Sequence, residues 1–219
     1  MSFRKNIPST ASVAFPSKDG RLLAPAAGRN AGPIVDLVLE IAPETGQALE
    51  IASGTGQHVV KLATARPNLK WQPSDVDPSR IASIEIWSKD KVLANLKNPV
   101  FLDATEAGWS CEHTDQNFIL LVNLIHLISF AEAKIIIREL SIALAPGGRS
   151  VIYGPFKRNG KLTSTGDESF HQSLKEVDPE IGYKNDKWMI EEFKEVGLGL
   201  LGVKLMPANN LAFIVEKNK

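Results

Sequence analysis

The residues best placed to do chemistry in this chain lie in Leu49-Glu50-Ile51-Ala52-Ser53-Gly54-Thr55-Gly56. An apolar strand carries Glu50 near its end and runs into a loop of small residues with two glycines. A helical pattern follows at once in Val59, Val60, Leu62 and Ala63. Glycine has no Cβ and reaches positive φ without cost, so such a loop lets backbone approach a ligand closely. The free N–H groups of the next helix point at the same place. Strand, glycine loop and helix together make a nucleoside-cofactor site in an α/β sheet. A dinucleotide fingerprint needs a third glycine for close helix–strand packing, and that position is Val59. The Gly-Lys-Ser/Thr of a phosphate P-loop has no counterpart.

Ligands in open α/β sheets bind at the carboxyl ends of the strands, so the residue after each strand carries the next clue. Ala52, Ser53, Gly54, Thr55 and Gly56 follow the first strand. Asp75 and Asp77 follow the second. Asp75 suits a ribose diol, which it can meet with two charge-assisted hydrogen bonds, and Asp77 suits the cap of the following helix. Asp103 and Ala104 follow the third strand, where a carboxylate can accept from an adenine amino group. Asn123 follows the fourth, with His126 beyond it, and Tyr153 ends the fifth. Glu50, at the buried end of the first strand, needs backbone N–H groups or a cofactor ammonium as partner. His58 opens the helix after the loop, and Arg29-Asn30 precede the first helix, where they can close over a cofactor. His126 and Tyr153 are the catalytic candidates, as a base or a substrate-orienting group.

The elements that must position these residues alternate. Helical periodicity begins near Ile34, with Pro33 in the first turn, and ends at Pro43 and Gly46. Strands follow at Gln47–Ile51, Leu69–Pro73, Pro99–Leu102, Phe118–Val122 and Ser150–Tyr153. Helices lie between them, one of them from Ala131 to Leu144 and stopped by Pro146-Gly147-Gly148. This alternation implies βαβ units and a mostly parallel sheet with right-handed crossovers. Residues 155–185 are polar and contain Gly160, Gly166 and Gly182, which suggests a mobile lid. A helix from Lys187 to Val196 precedes two apolar runs, Leu198–Leu205 and Leu211–Glu216, spaced to pair as an antiparallel hairpin. The lid and the Met206–Asn210 loop are expected to flank an acceptor pocket. Residues 1–28 read as an irregular N-terminal segment and residues 29–219 as one domain.

Composition narrows the function classes. At 219 residues and 43% hydrophobic content the chain can bury one sizeable α/β core. Its 25 basic and 25 acidic residues balance, which speaks against a broad nucleic-acid footprint and leaves room only for a local patch. The single cysteine, Cys111, forms no intramolecular disulfide and supplies no metal cluster. Such cysteine usage suits a reducing cytoplasm. The start of the chain lacks a signal-like apolar region, and the most apolar stretch, Phe118–Ile137, is broken by Asn123, His126, Glu132 and Lys134, so no membrane association is expected.

An acidic residue four positions before a Gly-x-Gly resembles motif I of the class I S-adenosylmethionine-dependent methyltransferases. The segments Leu49–His58, Trp71–Asp75, Asn123–His126, Tyr153–Phe156 and Met206–Leu211 are similar to a narrower group, the family containing methyltransferase-like protein twenty-six. The resemblance runs from about Pro25 to the C-terminus. Where that family reads Ala-Glu-Arg-Asn, this chain has Ala27-Gly28-Arg29-Asn30, without the carboxylate. The resemblance implies a Rossmann-like fold with a seven-stranded sheet in the order 3-2-1-4-5-7-6 and the last strand antiparallel. It also implies S-adenosyl-L-methionine as cofactor, S-adenosyl-L-homocysteine as product, and in-line methyl transfer. It supplies no substrate; a small-molecule acceptor is favoured. A catalytically inactive cofactor-binding module acting through a protein partner is the competing reading. A nucleic-acid amino-methyltransferase is disfavoured, because Asn123 is followed by Leu124-Ile125-His126 and not by Pro-Pro and an aromatic residue.

Overall fold

The structure, a computed structural model, describes residues 8, 11–89 and 93–219. Its elements in chain order are β1 (Phe15–Pro16), β2 (Leu22–Leu23), α1 (Pro25–Ile41), β3 (Gly46–Ile51), α2 (Gln57–Ala65), β4 (Leu69–Asp75), α3 (Pro78–Lys89), β5 (Val100–Phe101), β6 (Gln116–Val122), α4 (Phe130–Ala143), β7 (Leu144–Pro155), α5 (Thr165–Val177), α6 (Asp186–Glu195), β8 (Leu198–Leu205) and β9 (Asn210–Lys217). The central sheet runs β5-β4-β3-β6-β7-β9-β8. Numbered along the chain, its seven strands follow 3-2-1-4-5-7-6, the order implied by the methyltransferase resemblance. All pairings from β5 to β7 are parallel, and β9 runs antiparallel to both β7 and β8.

Two apolar layers sandwich this sheet, because alternate residues of a strand face opposite sides. Leu49, Ile51, Ile119, Leu121, Ile152 and Phe213 face one layer, which includes Ile136 and Ile137 of α4 and Phe193 of α6. Ala48, Trp71, Phe118, Leu120, Val151 and Ile214 face the other, with Ile34 and Val38 of α1, Val59 and Leu62 of α2, and Ile84 of α3. Burial on both faces accounts for the unbroken apolar run of β6.

Helix α1 begins at Pro25, well before the start expected near Ile34. Pro25 stands in the first turn, where its missing N–H costs nothing, and Pro33 lies inside the helix. The start was hidden because Ala24 offers no side-chain cap and the first turn has no acidic residue. Burial of Ala27, Asn30 and Ala31, with α1 packed on α2, supplies what the local signals lack. The expected irregular segment 1–28 therefore ends earlier and also holds the β1–β2 hairpin. Residues 1–7, 9 and 10 of that segment lie outside the described residues.

Helix α4 ends at Ala143, just before the Pro146-Gly147-Gly148 stop, and the next strand begins earlier than the expected Ser150. Strand β7 runs through the stop from Leu144, with a register irregularity opposite Gln116 and Phe118. A Cβ on Gly148 would lie 2.7 Å from the Gln116 carbonyl oxygen, so only glycine permits this backbone approach. Residues 155–185 are not one loop. Ser164 caps α5 through the Asp167 N–H at 3.1 Å, and Leu174, Ile181 and Tyr183 form a small core of their own beside Phe170 and Leu127.

Candidate functional site

At the carboxyl ends of β3, β4, β5 and β6 lies a cavity of about 710 Å³. Its floor is the glycine loop. Ala52 adopts φ 53° and Gly54 φ 60°, which turns the chain sharply off β3. Two serines join the strand ends beneath it: Ser74 Oγ donates to the Glu50 carbonyl at 2.8 Å, and Ser53 N donates to the Ser74 carbonyl at 2.8 Å. Gly56 then enters α2 at φ 91°, with Ile84 of α3 so close that a Cβ would meet its Cα at 3.0 Å. Gly56→Ala is expected to destabilise the fold by at least about 1–2 kcal/mol, the cost of a side chain in a left-handed conformation plus that contact. Urea unfolding measures it, and a variant as stable as wild type contradicts this reading of the loop.

The cavity wall carries the polar strand-end residues. Asp75 is buried, accepts from Gly54 N at 2.8 Å and from Asp77 N at 3.0 Å, and so ties the end of β4 to the loop. Burial raises its pKa, against the lowering by those amides and by the Arg80 guanidinium. Asp77 caps α3, accepting from Ser79 N at 2.8 Å and Ser79 Oγ at 2.7 Å. Asp103 holds its own turn through Thr105 N at 3.0 Å and lines the cavity with Ala104. Asn123, at φ 57°, lines the opposite wall beside Leu124. Of the expected cofactor residues, Arg29, Ala52, Ser53, Gly54, Thr55, His58, Asp75, Asp103, Ala104 and Asn123 therefore meet in one cavity.

The others stand behind it. Asn30 is buried and its Oδ1 lies 2.9 Å from His58 Nε2, so it orients that imidazole. Burial, helped by the Lys61 charge, lowers the His58 pKa to about 4, which keeps the ring neutral. Glu50 is buried beneath the loop, and its Oε2 has no hydrogen-bond partner. Burial raises its pKa to about 8; Ser53 opposes this and the Asp75 charge adds to it. Gly56 acts through its backbone, as above. The two expected catalytic residues, His126 and Tyr153, are not among the cavity-lining side chains. His126 is stacked edge-on against Phe170 and Tyr183, and burial, together with the Lys184 charge, lowers its pKa to about 3. Tyr153 is buried in the core layer that holds α1 and α2, and burial raises its pKa against the lowering by Asn30 and Asn210. His126 had read as chemical because it interrupts an apolar run, and Tyr153 because it ends a strand.

The remaining wall had no clear sequence signal. Pro8, Ala11, Ser12, Val13 and Phe15 also line the cavity and form its N-terminal strap. One side is tied to α3, where Arg80 Nη2 donates to Ser12 Oγ at 2.5 Å, and Ala11 packs on the small core around Leu174 and Tyr183 at the other. The chain that follows is tied to the loop in two places. Leu22 N donates to Ser83 Oγ, which donates to the Thr55 carbonyl, each at 2.8 Å; Ala24 N donates to Gln57 Oε1 at 2.6 Å. The polar lid and the Met206–Asn210 loop, expected to flank the pocket, do not line it. They bind each other through Asn209 Nδ2 and Asp167 Oδ2 at 3.1 Å. Among the described residues no cluster of His, Cys, Asp and Glu could hold a metal ion, and no helix is long and apolar enough to cross a membrane.

Several solved methyltransferase structures share this fold. An O-methyltransferase family protein from Burkholderia thailandensis is 17% identical with a TM-score of 0.76, over 89% of this chain and 58% of that one. An O-methyltransferase family 2 protein from Planctomyces limnophilus, solved with apigenin, is 16% identical with a TM-score of 0.74, over 87% and 59%. PigF, solved with SAH, is 15% identical with a TM-score of 0.71, over 87% and 56%. The chain thus spans little more than half the length of these proteins. At such identities the likeness establishes the class I methyltransferase fold. Over residues 21–217 the sequence matches the family described as Protein of unknown function (DUF938), and the chain belongs to that family.

Proposed function

We propose that this protein is an S-adenosylmethionine-dependent methyltransferase acting on a small molecule. The observation that carries the reading is Asp75, a buried carboxylate at the end of β4 fixed against the glycine loop and facing the cavity. Its oxygens keep lone pairs for a ribose diol. Val76, Leu102 and Ala104 give an adenine ring an apolar slot, with Asp103 beside it. Four carboxylates against two guanidinium groups in the wall suit a sulfonium cation, and Arg29 at the rim suits the cofactor carboxylate. The bound cofactor would supply an already activated methyl group, so the protein needs to align the acceptor and exclude water. The relation to the methyltransferase-like protein twenty-six family and a cytoplasmic location belong to this same proposal. So does a small-molecule acceptor in preference to nucleic acid, with no membrane partner.

Thermal unfolding with S-adenosylmethionine, S-adenosylhomocysteine and NAD tests it. Ligand at 100 times its Kd stabilises by about 2.7 kcal/mol, or roughly 5–10 °C in a domain of this size. The expected result is that shift with both sulfur ligands and none with NAD. A shift with NAD alone, or with none of the three, overturns the reading. Turnover of labelled methyl donor then separates the enzyme from an inactive binding module.

A further inference from the structure

The cavity is asymmetric in a way that specifies the acceptor. Strand order places the ends of β4 and β5, with Asp75 and Asp103, on one side of the glycine loop and the end of β6 on the other. The polar side is accounted for by the proposed cofactor. The β6 side is lined by Asn123, Leu124, Leu127, Ile128 and Glu132, and the strap adds Ala11, Val13 and Phe15. Leu127 is backed by the small core of Leu174, Ile181 and Tyr183. The carboxylate on this side, Glu132, completes the capping box of α4, accepting from Ser129 N at 2.6 Å. His126 points into that small aromatic core and is not a cavity-lining side chain. Among the described residues this side therefore offers mainly apolar surface, one amide and a carboxylate already held in the helix cap, and no imidazole or lysine to take a proton. The cavity's imidazole, His58, stands on α2.

Such a wall selects the chemistry of the nucleophile. An alcohol needs a base to become nucleophilic at neutral pH. A neutral amine would take over the positive charge of the sulfonium, moving it onto the acceptor beside aliphatic side chains, and an unpaired charge there is costly. A thiol has an ordinary pKa near 8.5, holds a few per cent thiolate at pH 7 and is intrinsically nucleophilic. Its reaction with a sulfonium also annihilates charge, which an apolar wall favours.

Resting on the methyltransferase reading above, we propose that the acceptor is a small apolar thiol, seated against Leu124, Leu127, Ile128 and the strap. The thiol gives its proton to water. The thiolate lone pair forms the new carbon–sulfur bond as the methyl–sulfonium bond breaks, and the bonding pair stays on the departing sulfur. Two neutral thioethers result. The rate should therefore follow the ionisation of the thiol itself, with no separate inflection from a protein base.

The test has two readouts. Calorimetry first measures S-adenosylhomocysteine binding, and then the binding of benzenethiol, phenol, benzyl alcohol and benzylamine to the loaded protein. Labelled methyl transfer to the same four compounds is measured in parallel. The proposal expects benzenethiol to bind and to be methylated at least tenfold faster than the other three. Leu127→Asp is expected to weaken benzenethiol binding at least tenfold and to leave the S-adenosylhomocysteine Kd unchanged. With the cofactor bound, preference for the alcohol, the phenol or the amine, or no methylation of any of the four, overturns the thiol proposal and leaves the cofactor site standing. Absence of S-adenosylhomocysteine binding fails at the earlier step and removes both.

Discussion

Asp75→Ala is expected to raise the Kd for S-adenosylhomocysteine at least about a hundredfold. Two hydrogen bonds from a ribose diol to a carboxylate contribute roughly 1.5–3 kcal/mol each, and 1.4 kcal/mol is tenfold in affinity. The same carboxylate also holds Gly54 N and Asp77 N, so part of the loss comes from a loosened loop. Asp75→Asn separates the two contributions. It keeps one acceptor oxygen, loses the charge, and should fall between wild type and alanine. Urea unfolding without ligand shows whether each variant remains folded. A folded Asp75→Ala protein that binds the nucleoside with wild-type affinity removes Asp75 from the site.

The second large effect is on stability against pH. Glu50 is buried, and burial raises its pKa from 4.5 to about 8. The native state therefore holds this proton over a range in which the unfolded chain has released it. By linkage, stability falls as pH rises between about 4.5 and 8, on the order of 5 kcal/mol in total. The histidines act in the opposite direction. His58 and His126 have pKa values lowered to about 4 and about 3, mainly by burial, so the unfolded chain binds their protons first and stability falls as pH drops below about 6.5. The unliganded protein is expected to be most stable on the weakly acidic side of neutrality. Glu50→Gln removes the titration and keeps the shape, so it should exceed wild type in stability at pH 8 and lack the alkaline decline. Urea denaturation from pH 5 to 9 reads this directly, and an identical decline in both proteins contradicts a protonated Glu50.

Much of the site was legible because strand ends in a parallel sheet are marked twice, by an apolar run and by the polar residue that follows it. Asp75, Asp103 and Asn123 were found that way, and Asp77 was correctly read as the cap of α3. Even the sheet order followed from the resemblance carried by the Leu49–His58 and Trp71–Asp75 segments. What failed did so for local physical reasons. Pro33 resembles a helix start, yet burial of Ala27, Asn30 and Ala31 carries α1 back to Pro25. The strand expected from Ser150 begins at Leu144, because Gly148 permits a close backbone approach within β7. The strap of Ala11, Ser12 and Val13 has no periodicity and is held by contacts distant in sequence, such as Arg80 with Ser12. His126 drew attention as an expensive buried polar group, and its aromatic neighbours Phe170 and Tyr183 lie more than forty residues further along the chain.

The most direct test of the account is a crystal structure grown with S-adenosylhomocysteine. The account predicts the ribose hydroxyls within hydrogen-bond distance of Asp75, the adenine between Leu102 and Val76, and the sulfur turned toward Leu124 and the strap. Density for the nucleoside elsewhere, or an empty cavity in crystals saturated with the ligand, contradicts it.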